Sequence, residues 1–530
     1  MDNFDRARLL KSKGRSNVSV ALVRGPIVST LNALNNEATP AIALAYLSGY
    51  LEKYGYNAKM VDAIGEGLSQ MWPIENWPGY QCQGLTFDEI VARIPGDVDV
   101  IGISAMFSGE WPITRELIEY IRCKFPNSVI VAGGEHITAL TEYSLRECPA
   151  IDFCIRGEGE SGIHTLLEKF ISGETIDDVP GISHFRNGEY IANTELPRVR
   201  DINSIPWPKW PDGYMETFWQ AGKSYGPQTG RDMPMMLSRG CPYRCTFCSN
   251  PEMWTTRYIL RDVDDVVAEV KSYIEKHDIT AVQLYDLTAI TKKKWTVEFL
   301  RKLLDNNIDV KWALPSGTRS EVLDKETLIL LNQVGCNYLV YAPESGSPEM
   351  LERLNKKLNL KNLNGSIKEA LALKMVVRAN IILGFPGETR LDLYKTLVYG
   401  IGLSIRGVDE VQPNLYSPYP GSQLFHELLE TRQITLGDSY FLSLTSLNSD
   451  LSIFQPLTFN EYMGAAELAF YRLVFTALNY GLGYLFHPRR IIRTWRNLFG
   501  SGDAATVFEH RLKDALHRRR AANSIETGIN

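Results

Sequence analysis

The chain has no run of 18 or more apolar residues, and its start lacks a charged segment followed by an apolar one, so neither a spanning helix nor secretion is expected. An excess of positive charge is missing too. The 56 Lys+Arg against 62 Asp+Glu leave a net charge of −6, which argues against a general nucleic-acid binder, although the last segment is locally basic. Cysteine is sparse, with 8 in 530 residues. Cys82, Cys123, Cys148, Cys154 and Cys336 show no paired spacing, which excludes a disulfide framework and leaves free buried thiols in a reducing cytoplasm. No G-x-G-x-x-G opens the first predicted helix, so a dinucleotide is disfavoured. Hydrophobic residues are not scarce: at 44% of 530 they suffice for two to four domains with sizeable cores.

The remaining three cysteines, Cys241, Cys245 and Cys248, form C-x-x-x-C-x-x-C within Leu-Ser-Arg-Gly-Cys-Pro-Tyr-Arg-Cys-Thr-Phe-Cys. Thiolates are soft ligands that suit zinc and iron–sulfur clusters. Structural zinc wants a fourth cysteine or a histidine close by, and none lies within roughly twenty residues on either side. A [4Fe–4S] cluster held by three cysteines keeps one iron open for a substrate, which would make the site catalytic.

Around this loop the chain alternates strand and helix patterns. Residues 1–15 read as a loose charged arm. From 16 to 175, apolar runs at Val18–Val23 and Val98–Ser104, a helical stretch near 40–54 and the glycine turns Gly133-Gly134 and Gly157-Glu158-Gly159 predict a doubly wound, Rossmann-like α/β domain. Residues 176–232 read as a linker with a hairpin turning at Asn187-Gly188 and a stiff Pro206-Trp207-Pro208-Lys209-Trp210-Pro211 strap across the domain interface. Six strand–helix repeats over 233–425 predict a partial TIM-like barrel, whose chemistry belongs at the carboxyl ends of its strands. Those ends carry Asp286, Arg319, Glu344-Ser345-Gly346 and Gly384-Phe385-Pro386-Gly387-Glu388. Buried acids past apolar strands are costly without partners. Arg319 reads as a carboxylate partner or as an ordinary barrel ion pair, and Glu388 as a cap on the helix that follows.

The cysteine loop, with Phe247 before its last cysteine, resembles the cluster motif of the radical S-adenosylmethionine (SAM) enzymes. Val131-Ala132-Gly133-Gly134-Glu135-His136-Ile137-Thr138, Arg156-Gly157-Glu158-Gly159-Glu160, Tyr285-Asp286-Leu287-Thr288 and Pro418-Tyr419-Pro420-Gly421-Ser422 are similar to the branch with an upstream cobalamin-binding domain. The resemblance covers about residues 18–425. It implies a Rossmann-like cobalamin domain, then a (β/α)6 radical SAM barrel, with a [4Fe–4S] cluster, SAM and cobalamin as cofactors. Cys241, Cys245 and Cys248 would hold the cluster, whose open iron binds SAM so that one electron from an external flavodoxin or ferredoxin cleaves it to methionine and a 5′-deoxyadenosyl radical. Phe247, Asp286, Arg319, Glu344, Ser345, Gly384 and Gly387 would contact SAM. Ser104, Met106, Gly133, Gly134, Glu135, His136, Gly157 and Glu158 would contact cobalamin. The D-x-H-x-x-G signature is absent, so no histidine is expected on the lower face of the corrin, and the Ser104–Phe107 loop would cover it. For His136 alone, a turn histidine bonded to backbone is an equal expectation.

The expected activity is C-methylation of an unactivated carbon in a small, hydrophobic or secondary-metabolite substrate. An oxidative cyclase similar to the anaerobic magnesium-protoporphyrin monomethyl ester cyclases is the alternative, and a non-catalytic corrinoid or iron–sulfur protein the third reading. The helical region 426–510 holds Arg489, Arg490, Arg493 and Arg496 beside Ile491, Ile492, Trp495 and Leu498, a basic amphipathic segment that can lie on an anionic membrane surface, cover a greasy substrate, or cap the barrel mouth with its arginines solvated. A basic tail, 511–530, follows with Arg518, Arg519 and Arg520.

Overall fold

A computed structural model describes residues 2–31, 33, 38–196, 198–226, 230–449 and 457–499, with 505, 506, 508, 509 and 512. The expected tail, Arg518–Arg520 included, lies outside the described residues apart from 512.

Two sheets organise the chain. The first runs, edge to edge, Glu189–Ala192, Ile182–Arg186, Phe153–Ile155, Val129–Gly133, Val100–Ser104, Ser19–Arg24 and Asn57–Asp62. Its last five strands pair in parallel. Val20, Ala21, Leu22 and Val23 are all buried, as continuous apolar strands covered on both faces must be. The hairpin at Asn187-Gly188 forms as expected, but it is no linker: it pairs antiparallel with Phe153–Ile155 and extends the sheet. The second sheet holds Asp232–Met235, Ala281–Leu284, Lys311–Thr318, Cys336–Glu344, Val376–Leu383 and Glu410–Leu415, all parallel and in sequence order. Helices return the chain between its strands after the first, among them Lys293–Asp305, Lys325–Gln333, Leu360–Ala372 and Arg390–Arg406.

Three features depart from the sequence reading. The 1–15 segment contains a capped helix, Asn3–Arg8, held down by buried Leu10 and by Arg6 pairing with Asp152 at 3.1 Å, so it is not a loose arm. A small antiparallel sheet of Ile27–Thr30, Tyr80–Gln83 and Met71–Pro73 stands beside the first domain, in a stretch whose turns gave no alternation to read. Cys123 is exposed, whereas Cys82, Cys148, Cys154 and Cys336 are buried free thiols as expected.

The strap joins the halves. Lys209 N–H donates to the Ala45 carbonyl (2.9 Å) on one side, and Trp207 Nε1 to Asp265 (2.9 Å) on the other. Behind it one apolar cluster runs without a break from Val20 and Leu22 through Met215 and Phe218 to Met233 and Val266. Closer to the cysteines, Arg239 is buried and donates to Glu158 (3.2 Å) and Glu160 (2.5 Å) of the first domain. Arg198 also approaches Glu158, at 3.5 Å.

Removing one member of such a buried set leaves uncompensated charge. Arg239→Ala should therefore cost about 3–5 kcal/mol, read as a lowered midpoint in chemical denaturation, and an unchanged midpoint would show that the cluster carries no such role.

Candidate active site

The cysteine loop leaves the short strand Ser238–Arg239, which pairs with Ile259–Leu260, and ends in the helix Asn250–Trp254. It is laced to the barrel by backbone and side-chain bonds. Thr246 N–H donates to the Leu354 carbonyl (3.1 Å), Leu424 N–H to the Thr246 carbonyl (2.9 Å), and the Asn355 amide to the Arg244 carbonyl (2.8 Å). Phe247 packs its ring 5.6 Å from that of Phe385.

All three thiols are half-buried, and burial pushes each pKa up, that of Cys248 to about 12. Two cations oppose this at Cys241 and Cys245: Lys356 and Arg319. The Arg319 guanidinium lies 3.5 Å over the Tyr243 ring, between the first two cysteines in sequence, and donates to the carbonyls of Lys356 (3.0 Å) and Lys357 (3.1 Å). Cations next to thiols favour the thiolate form that binds metal. Among the described residues no three Cys, His, Asp or Glu side chains converge as ligands of one ion would. A zinc ion needs its donors at ~2.0–2.3 Å from a single centre, whereas a cluster spreads its thiolates over different irons. Three thiols on one short loop, with Lys356 and Arg319 beside two of them, are a donor set that fits a [4Fe–4S] cluster.

The strand-end residues surround this loop, but most of their polar capacity is committed within the chain. Glu344 sits after a register shift in its strand with φ +63°, a left-handed backbone that a non-glycine residue adopts only under constraint, and its carboxylate accepts from Lys356 Nζ at 2.7 Å. Ser345 is buried, sharing a hydrogen bond with Thr396 (2.8 Å) and accepting from Ser347 N–H. Arg319 serves the loop and the 356–357 backbone more than a simple barrel ion pair, its nearest acid being Glu321 at 3.5 Å. Asp286 departs furthest from expectation. It is buried, with its pKa raised to about 6 by burial, and accepts from Leu237 N–H and the Ser238 hydroxyl, so it fixes the entry to the cysteine loop instead of facing outward.

The Gly384–Glu388 turn closes on itself. Gly384 and Gly387 have φ +84° and +70°, and at Gly387 a Cβ would collide with the Arg353 guanidinium. The Gly384 N–H goes to Glu388 (2.6 Å) and the Gly387 N–H to Glu461 (2.7 Å). The glycines therefore offer a close backbone edge, with their N–H groups already used. The helix beginning at Arg390 is capped by Thr389 in a capping box with Asp392, so Glu388 is not its cap.

On the first domain, Ser104, Met106, Gly133, Gly134 and Glu135 form a half-buried surface at the strand ends, with Phe107 60% exposed beside it. Gly134 (φ +114°) passes so close to the Ala105 carbonyl that a Cβ would lie 2.5 Å from it, so only glycine fits. Such a low, glycine-lined surface suits a flat macrocycle. His136 is not on it. It is buried, stacked on Trp111 (4.5 Å), its Nδ1 2.9 Å from the Ser108 hydroxyl, and burial pushes its pKa down to about 3. That departs from both expectations for it, since its ring is withdrawn from the surface and its partner is a hydroxyl and not backbone. Glu158 is likewise withdrawn, engaged by Arg239, and Gly157 N–H donates to Thr138 (3.0 Å).

Sequence reasoning missed Lys356, Tyr243, Arg239 and Ser249. Arg239 and Ser249 flank the motif directly and could have been sought there, while nothing in the spacing marks Lys356. Ser249, the residue after Cys248, donates its hydroxyl to Glu135, so the two candidate cofactor surfaces meet at one hydrogen bond. The Pro418–Ser422 turn packs at the same junction, Gly421 fitting between Glu252 and Ala139.

Burial raises the Glu388 pKa to about 7, and one of its oxygens has no partner among the described residues. A carboxyl raised in the folded state stabilises fully below the ordinary carboxylate range and loses that contribution as pH climbs through about 7. Glu388→Gln should match the wild type near pH ~4 and melt about 2–4 °C higher at pH ~8, and a constant offset across pH would refute the burial of a titrating carboxyl.

Two family models match the chain: the B12 binding domain over residues 31–167 and the Radical SAM superfamily over 235–399. An uncharacterised methyltransferase of Pyrococcus horikoshii is 26% identical over 77% of this chain and 82% of its own. The cytidylyl-2-hydroxyethylphosphonate methyltransferase of Streptomyces wedmorensis is 28% identical over 74% and 78%. An anaerobic magnesium-protoporphyrin IX monomethyl ester cyclase of Rubrivivax gelatinosus is 27% identical over 73% and 66%. Among solved structures, the methyltransferase TsrM from Kitasatospora setae shares the fold at a TM-score of 0.64 and 14% identity, covering 96% of this chain and all of its own. A B12-binding domain sets cobalamin as one cofactor, and a radical SAM domain sets SAM and a [4Fe–4S] cluster as the others. The chain belongs to the radical SAM superfamily, as an enzyme of the branch that carries a B12-binding domain ahead of the radical module.

Proposed function

We propose that this enzyme transfers a methyl group to an unactivated carbon of a small, hydrophobic or secondary-metabolite substrate. The observation that carries the reading is the bond from Ser249 to Glu135, which ties the residue after the last cluster cysteine to the glycine turn of the B12-binding domain. When bound, the cluster with SAM supplies a 5′-deoxyadenosyl radical, and cobalamin supplies a methyl carrier. Chemistry that hands a group from one to the other at a substrate carbon needs both surfaces open to one space. The names of the Pyrococcus and Streptomyces relatives point the same way.

The chain's residues divide the work of holding the cofactors. Cys241, Cys245 and Cys248 supply thiolates, with Arg319 and Lys356 as the cations that lower the cost of charge on Cys241 and Cys245. Glu344 reaches the loop edge as an acid already paired with Lys356, so an incoming ammonium group would share that carboxylate. Ser104, Met106, Gly133 and Gly134 supply the low surface for the macrocycle. An external flavodoxin or ferredoxin would deliver the electron. The matches to the magnesium-protoporphyrin cyclases favour cyclisation as a second reading, in which no methyl group is transferred.

Anaerobic reconstitution decides between them. About four irons and one cobalt per chain, with S-adenosylhomocysteine and 5′-deoxyadenosine both formed, are expected of the methyltransferase. Cobalt and 5′-deoxyadenosine without S-adenosylhomocysteine would turn the reading toward the cyclase. Cys245→Ala should lose the iron–sulfur absorption and all SAM cleavage, and cleavage retained by that variant would contradict the cluster assignment.

A further inference from the structure

Two helices near the end of the described chain face the wrong way for a protein surrounded by water. In Arg489–Phe499 the side chains of Arg490, Arg493, Thr494 and Asn497 point inward. Arg490 donates to the carbonyls of Gly407 and Val408, Arg493 to Asp409 (2.8 Å), and Thr494 and Asn497 to Glu509 (2.7 and 2.9 Å). The arginines meet the carboxyl end of the Arg390–Arg406 helix, whose terminal carbonyls and nearby Asp409 attract cations. With that face satisfied, the apolar stripe turns outward: Ile491, Ile492, Trp495 and Phe499 are exposed, Ile492 to 71% and Trp495 to 67%. An amphipathic surface helix of a globular protein presents the opposite face to solvent.

The preceding helix, Ala465–Phe486, continues the surface. Its inward side carries buried Leu468, Phe475 and Asn479, the last bonded to Ser404 and to the Val411 carbonyl. Its outward side is Phe470, Leu473, Val474, Leu478 and Leu485, all exposed and spaced at helical intervals with no charge among them. Leu391, Tyr394 and Val398 extend the patch along the neighbouring helix, joined to it by the Tyr394–Tyr471 hydroxyl pair (2.8 Å). Contiguous apolar area of this extent on a monomer marks a contact site.

Charge indicates what covers it. Between residues 465 and 499 there is one acid, Glu467, and Arg390 neutralises it at 2.7 Å. Exposed Arg489 and Arg496 lie along one border of the apolar stripe. From residue 487 onward the sequence holds nine Lys and Arg against four Asp and Glu, in a chain whose net charge is −6. A second copy docked through this face about a two-fold axis would bring the arginines of both copies together with no free acid to balance them. An anionic bilayer matches both features, accepting Trp, Phe and Ile at its interface and attracting arginines at its headgroups. No helix among the described residues is long and apolar enough to cross a membrane, so the surface would lie on the bilayer.

We propose that the outward faces of Ala465–Phe486 and Arg489–Phe499 form a docking surface for an anionic lipid bilayer. The test is flotation of the reconstituted full chain with vesicles of phosphatidylcholine alone or mixed with phosphatidylglycerol, a readout independent of SAM chemistry. Binding to the mixed vesicles should be about tenfold or more tighter than to neutral ones. The pairs Ile492→Glu with Trp495→Glu, and Leu473→Glu with Leu478→Glu, should each abolish flotation while leaving the melting curve unchanged, because all four side chains are exposed. Equal binding to neutral vesicles, or none to either, would overturn the proposal. So would flotation retained by both paired variants, which would move the contact to residues beyond 499. A lipid-free dimer dissociated by Trp495→Glu would instead assign the face to a second copy.

Discussion

Arg239 stands two residues before the first cysteine of the loop and is buried between two carboxylates of the other domain. A guanidinium in that position cannot shift far without stranding charge away from water, which is costly at several kcal/mol per ion. The cysteine loop is thus anchored at its entry to the B12-binding domain, and the Ser249–Glu135 bond anchors its exit. Between these points the loop is tied to the barrel by its backbone bonds to Leu354 and Leu424, the Asn355 amide on Arg244, the Phe247–Phe385 contact and the Tyr243–Arg319 stack. The geometry of one domain's cofactor site is set in part by the other domain.

The same principle orders the charges around the site. Acids that look spare in the sequence are mostly employed in holding backbone: Asp286 grips the residue before Ser238, Glu388 closes the Gly384 turn, and Glu461 holds Gly387. The cations that remain near the thiols, Lys356 and Arg319, are themselves tied to Glu344 and to main-chain carbonyls. A site arranged in this way is rigid before any cofactor arrives, which is what positioning a reactive group requires.

Periodicity made the architecture legible. Parallel strands buried on both faces write continuous apolar runs, so the run read at Val98–Ser104 falls on the buried strand Val100–Ser104 and that at Val18–Val23 on Ser19–Arg24. The cysteine spacing was equally plain, because thiolate chemistry leaves little choice of residue. What could not be read was the direction of side chains whose roles are set by distant neighbours. His136 and Glu158 sit in glycine-rich turns at the right strand ends, yet Trp111 and Arg239 draw them away from the surface. Lys356 reaches the site because the short helix Pro348–Arg353 after Glu344 brings the chain back, and no local pattern announces that. The Asn3–Arg8 helix was hidden in the same way, since its partners, Asp152 and the first sheet, lie far along the chain.

The unbroken apolar cluster behind the Trp207–Lys209 strap bears on how a substrate moves through the molecule. With Met215, Phe218 and Met233 packed in one body with Val20 and Leu22, parting the two sheets as lids on a hinge would expose apolar surface to water. Traffic in and out has to pass by way of the loops at the strand ends. The molecule that can be admitted is then bounded by the very loops that carry Glu344, Gly384 and Gly134, so a change that alters entry there also touches the cofactor surfaces.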